Sequence, residues 1–86
     1  MKSSFTDMSS AEKAQEKKEF AKRLGKRVRE VRLSKNLSQE QLAHKAGYYR
    51  TYVGHIETAA YSPSVHTVWR LAKAMDIDIG QLLKDL

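Results

Sequence analysis

"SQEQLAHKAGYYRTYVGHIE", residues 38–57, is the stretch whose reading decides the fold. Ser38 followed three residues later by Gln41 is a capping box: the serine hydroxyl and the glutamine side chain each satisfy a backbone N–H at a helix start. The helix it opens closes at Gly47, a residue that takes the left-handed conformation of a helix end without steric cost. A second helix follows from Arg50 to about Thr58. Two short helices joined by a tight turn at a glycine make a helix-turn-helix pattern.

The second helix divides by angle. At about 100° per residue, with Arg50 as zero, Arg50, Gly54, Thr58, Thr51 and His55 span roughly 0 to 140°. Tyr52, Ile56 and Val53 span roughly 200 to 300° and belong to a core. The polar half has no place in that core. Its small residue, Gly54, would let the helix lie close against another surface.

Working outward, Ser9 with Glu12 forms another capping box and starts a first helix at Ser10 that runs to Ser34. Gly25 inside it is tolerated at a cost of about 1 kcal/mol. Phe20, Ala21, Leu24, Val28 and Val31 fall on one stripe. Core packing is therefore expected from near Phe20, with residues 10–19 a solvated or frayed extension and residues 1–8 disordered. Asn36 ends the helix in the left-handed conformation, and Leu37 turns inward. Pro63 and Ser64 start a fourth helix reaching Met75, with Val65, Val68, Trp69, Ala72 and Met75 as its apolar face. Asp78 caps a fifth, "IGQLLKDL", residues 79–86. No run reads as a paired strand. The expectation is an all-α chain of five helices, in which residues 1–19 are an N-terminal extension and residues 20–86 one helix-turn-helix domain.

Composition narrows the function. The 86 residues make one small domain, without cysteine and hence without disulfides or thiolate metal sites. No apolar run approaches the roughly 18 residues of a membrane span. No apolar signal core opens the chain, so a cytoplasmic protein is the default. Sixteen Lys and Arg stand against ten Asp and Glu, and eleven of those cations precede Asn36. Such an excess fits an anionic polymer or surface as partner, although a solvated helix face would look the same. His44, His55 and His66 lie on three different helices and offer no metal-binding pair. No Ser-His-Asp arrangement, paired carboxylates or phosphate-cradling glycine loop can be made out, so neither catalysis nor a cofactor is expected.

From Leu24 to Leu83 the chain resembles the phage-repressor and Cro type of helix-turn-helix domain, the Xre-like, lambda-repressor-like family. The residues that carry the resemblance are "LGKRVREVRLSKNLSQEQLAHKAG", "RTYVGHIE", "SPSVHTVWRLAKAMDI" and "LL". The "RTY" stretch is also similar to one common among controller proteins of restriction–modification systems. The resemblance implies a bacterial or phage transcriptional regulator, with the helix from Arg50 in the DNA major groove. Arg50, Thr51, Gly54 and His55 then stand where base contacts are made: Arg50 suits guanine O6 and N7, Thr51 a thymine methyl, and His55 guanine or a phosphate. Gln39 and Ser38, at a helix start, fall at phosphate-gripping positions. Arg32 and Glu57 match a family pair tying the first helix to the end of the recognition helix.

The departures from the family shift other roles. Thr58 and Ala59 replace the usual Arg and Gly after "IE", and the loop that follows lacks its usual cation. Phosphate contacts there fall to Tyr61, Ser62 and Ser64, with Lys26 and Arg27 of the first helix in support. Tyr49 stands where a capping Ser or Asp is common. Tyr49 is counted with the backbone contacts to DNA; its ring and that of Tyr48 either pack on a sugar or cover the core. Leu83 or Leu86 is surplus to a small core and implies a two-fold dimer on a palindromic operator. An antitoxin of this fold, holding a toxin through residues 1–19, is the first alternative. A charge-driven, non-specific binder is the second.

Overall fold

The computed structural model describes residues 8–86. The capping residues act where the sequence puts them. Ser9 Oγ accepts from the Glu12 N–H, and the Glu12 carboxylate accepts from the Ser9 N–H, both at 3.1 Å. The Ser9 backbone N–H foremost, and the Ser9 hydroxyl after it, hold the Glu12 carboxyl below its ordinary value. The helix they open, α1, spans Ser10–Ser34 without a break. It ends through Lys35, with Asn36 left-handed at φ 58°. Ser38 and Gln41 form the reciprocal box that opens α2 (Gln39–Ala46). Gly47, at φ 83°, closes it. Tyr48 N–H then reaches back to the Ala43 carbonyl at 2.8 Å, satisfying one of the carbonyls that a helix end leaves open.

Helix α3 (Arg50–Glu57) starts from Tyr49, which supplies no side-chain cap. Ser64 caps α4 (Val65–Ala74), its Oγ accepting from Thr67 N–H at 3.1 Å. The last helix, α5 (Ile79–Leu83), is shorter than expected: Lys84 is extended and Asp85 left-handed, so the chain leaves the helix before Leu86. The residues expected to be disordered, 1–8, lie outside the described part except for Met8. No strand occurs among the described residues.

Helix α3 packs on α1 and α2, and α4 on α2 and α5, while α5 returns to α1. Leu24 and Val28 of α1, Leu42 and Ala46 of α2, Val53 and Ile56 of α3, Leu71 of α4 with Met75 at its C-cap, and Leu82 of α5 meet in one core. Three expected core residues lie outside it. Phe20 is 44% exposed, and burial on α1 begins at Ala21. Trp69 is 45% exposed, and Val65 is exposed as well. The buried stripe of α4 is Val68, Leu71 and Ala72, continued by Met75 at the C-cap, at spacings of three and four. Trp69 lies about 100° from its centre, and Val65 overhangs the core at the first turn.

Gly25 is buried for a reason that helix propensity does not contain. A Cβ built there would collide with the Ile56 carbonyl and lie 2.7 Å from that of Glu57. The absent side chain is what lets α1 touch the end of α3.

Candidate nucleic-acid interface

Helix α3 presents the expected division. Val53 and Ile56 are buried, while Arg50, Thr51 and His55 are exposed. The helix is seated by an ion pair behind it. Arg32 Nε donates to Glu57 Oε2 at 2.7 Å and Nη2 to Oε1 at 3.0 Å. The side chains of Arg32 and Glu57 are only 7% and 3% exposed. Arg32 Nη1 donates to the Leu37 carbonyl at 2.8 Å, so the whole guanidinium fork is used. Gln39 Nε2 completes the set with a 3.1 Å bond to Glu57 Oε1. One carboxylate thus joins α1, the start of α2 and the end of α3.

Gln39, expected at a phosphate, also has a place inside the protein. Its amide is oriented by Glu57 and lies over Gly54, where a Cβ would come 3.2 Å from Gln39 Oε1. The close approach that Gly54 permits is to Gln39, within the protein. Ser38 Oγ accepts at the cap, which leaves its hydroxyl proton to donate outward. The Ser64 hydroxyl is engaged at its own cap and with Thr67 Oγ1 at 3.2 Å. Lys26 is exposed. Arg27 Nη1 donates to the Gln81 carbonyl at 3.0 Å and ties α1 to α5. Tyr49 is 89% exposed, while Tyr48 covers the core, with its hydroxyl donating to Thr67 Oγ1 at 3.2 Å.

After α3 the chain turns sharply. Ala59 is left-handed at φ 63°, and the N–H groups of Ala60 and Tyr61 both donate to the His55 carbonyl, at 2.8 and 3.3 Å. The turn lays the Tyr61 ring 4.8 Å from the His55 ring and 5.7 Å from that of Tyr52. Tyr52 continues to Tyr48 at 4.8 Å, and the Arg70 guanidinium lies 5.9 Å over Tyr48.

Arg70 was not among the expected site residues. Its Nε donates to the Ala46 carbonyl at 2.9 Å and so fixes the end of α2 from α4. The signal for it was present: a helix closing at glycine leaves carbonyls that need a donor. Leu86 packs against the core, with its carbonyl accepting from Arg23 Nη1 at 3.1 Å. Leu83 remains 37% exposed. Among the described residues no cluster of three or more metal-ligating side chains occurs, and no helix is long and apolar enough to cross a membrane.

A short helix with a polar outer face, braced from behind by a second helix and a buried ion pair, is the arrangement of a helix-turn-helix domain. The helix-turn-helix family HTH_3 matches residues 28–82. Control protein C.SmaI of Serratia marcescens is 42% identical over 60 residues, covering 70% of this chain and 71% of that protein. Control protein C.BamHI of Bacillus amyloliquefaciens is 38% identical, over 69% and 74% of the two chains. Among solved structures, the restriction-modification controller protein C.AhdI of Aeromonas hydrophila superposes with a TM-score of 0.71 at 40% identity, over 72% of this chain and 90% of its own. The chain belongs to the Xre-like helix-turn-helix family of DNA-binding transcriptional regulators.

Proposed function

We propose that this regulator reads a (pseudo)palindromic operator as a homodimer, each protomer laying α3 in the major groove. The observation that carries the reading is the exposed polar face of α3, with Arg50, Thr51 and His55 outward on a helix whose other side is buried. Arg50 presents paired donors suited to guanine O6 and N7, and Thr51 and His55 supply the neighbouring contacts. Ser38, the start of α2, Tyr61 and Ser62 are the phosphate contacts of this reading, with Lys26 in support. The net charge of +6 favours approach to DNA. We assign it no catalytic role and a cytoplasmic, nucleoid-associated location. Control of a restriction–modification system, as with the controller protein C.AhdI, is the regulatory setting we propose here.

Leu83 on the outer side of α5 supports the dimer, since a single short helix makes few base contacts. Two-fold symmetry would set half-sites about 34 Å apart. Selection of bound duplexes from a randomised library is the test. The expected product is a pair of inverted half-sites at that spacing. Recovery of no preferred sequence, with equal affinity for every duplex, would refute the reading.

A further inference from the structure

His55 is the last outward-facing residue of α3, and an imidazole on an exposed helix can take several side-chain rotamers. Here its ring rests on another ring. The turn at Ala59 brings Tyr61 back against it at 4.8 Å, with the planes tilted by 47°. That separation lies within the about 4.5–7 Å at which aromatic rings attract. Tyr61 is itself held from behind by Tyr52, and Tyr52 by Tyr48, whose hydroxyl is bonded to Thr67 of α4. A column of rings therefore runs from the half-buried side of α3 out to the one imidazole on its polar face.

We infer that Tyr61 is a positioning residue for base recognition, its ring fixing the direction in which His55 presents its imidazole to DNA. The inference rests on the DNA-reading role proposed above. A side chain ordered before binding does not have to lose its rotamer freedom on binding, so the contact it makes is stronger and more selective. This role belongs to the Tyr61 ring. A phosphate contact would belong to its hydroxyl, and the two are separable.

The experiment compares the full chain with Tyr61→Phe, Tyr61→Ala, Tyr61→Leu, His55→Ala and the double variant Tyr61→Ala/His55→Ala. Affinity is measured over every single-base change in the selected operator, and thermal melts identify the folded variants. Tyr61→Phe keeps the ring and should keep the wild-type base preferences. Tyr61→Ala should lose discrimination on the order of tenfold at the base pairs that His55→Ala defines, with Arg50's base pair unaffected. The double variant should lose no more there than His55→Ala alone. Tyr61→Leu preserves apolar cover over Tyr52 and should behave like Tyr61→Ala, so it carries the test if the alanine variant unfolds.

In the DNA-free chain, proton NMR should show His55 ring protons displaced by the Tyr61 ring current in wild type and Tyr61→Phe, and undisplaced in Tyr61→Leu. A loss of discrimination in Tyr61→Phe at the base pairs that His55→Ala defines would overturn the inference, because it would place the effect on the hydroxyl and not on the ring. Unchanged base preferences in both Tyr61→Ala and Tyr61→Leu would overturn it too, as would undisplaced His55 protons in the wild type. A wild-type chain that selects no sequence would instead bring down the DNA-reading role, and this inference with it.

Discussion

Arg32 and Glu57 meet through two parallel hydrogen bonds, at 2.7 and 3.0 Å, across the joint between α1 and α3. Both side chains are nearly sealed from solvent, so neither charge can recover its water if the other is removed. Arg32→Ala should cost about 3–5 kcal/mol in urea unfolding and also weaken DNA binding, because an unpaired Glu57 would sit near phosphates. Glu57→Ala should cost a similar amount. The double variant should lose clearly less than the two losses added together. A strictly additive cycle would show that the pair is not coupled.

Gly25→Ala offers a test by sign. On an open helix surface this substitution stabilises, by about 1 kcal/mol. At the contact with Ile56 and Glu57 the methyl group meets backbone carbonyls that no side-chain rotation can clear. A net loss of about 1–3 kcal/mol is expected. A raised unfolding midpoint would contradict the close approach of α1 to α3.

Arg50→Ala and Gln39→Ala should part company on DNA. Arg50 faces outward, so its loss should leave stability unchanged, weaken operator binding by about 1–3 kcal/mol and relax preference at one base position per half-site. Gln39 belongs to the start of α2, which we propose grips phosphate, and also bonds Glu57, so its removal should lower affinity alike for all sequences and cost about 1 kcal/mol of stability. Binding to selected and scrambled duplexes, with parallel melts, separates the two. Equal losses on both duplexes for Arg50→Ala would make it a phosphate contact.

Leu83→Glu should put a charge into the proposed contact between protomers. Sedimentation at tens of micromolar is expected to show a wild-type dimer and a largely monomeric variant, with helical content unchanged. Operator binding by the variant should lose its sigmoid shape. A wild-type chain that sediments as a monomer, and binds one half-site alone, would remove the dimer.

What the sequence showed and what it hid follow from how local each interaction is. The capping boxes at Ser9 and Ser38 and the turn at Asn36 involve residues within three positions of each other, and pattern reading reaches that far. Periodicity also separated Val53 and Ile56 from the polar face of α3. It misplaced Phe20 and Trp69, because a stripe shows which residues share a side and not how far the neighbouring helices extend to cover it. Gly25 read as a mild defect for the same reason, since the carbonyls it accommodates lie more than thirty positions away. Arg32 and Glu57 came from the family resemblance and not from spacing. The Tyr61–His55 contact depends on a left-handed alanine, which no composition signal marks.

That alanine has a consequence for how much change the domain can absorb. At φ 63° the Ala59 methyl crowds its own backbone, a conformation that costs a residue with a Cβ about 1–2 kcal/mol. Ala59→Gly should relieve most of it and raise the melting temperature by a few degrees, with base preferences unchanged. A lower melting temperature would show that the surrounding turn, and not the residue, sets the strain. If the gain is real, the sequence lies one substitution below the stability its own fold permits. A lineage that acquired the glycine could then tolerate a costly change in α3 and explore new operators without losing the fold.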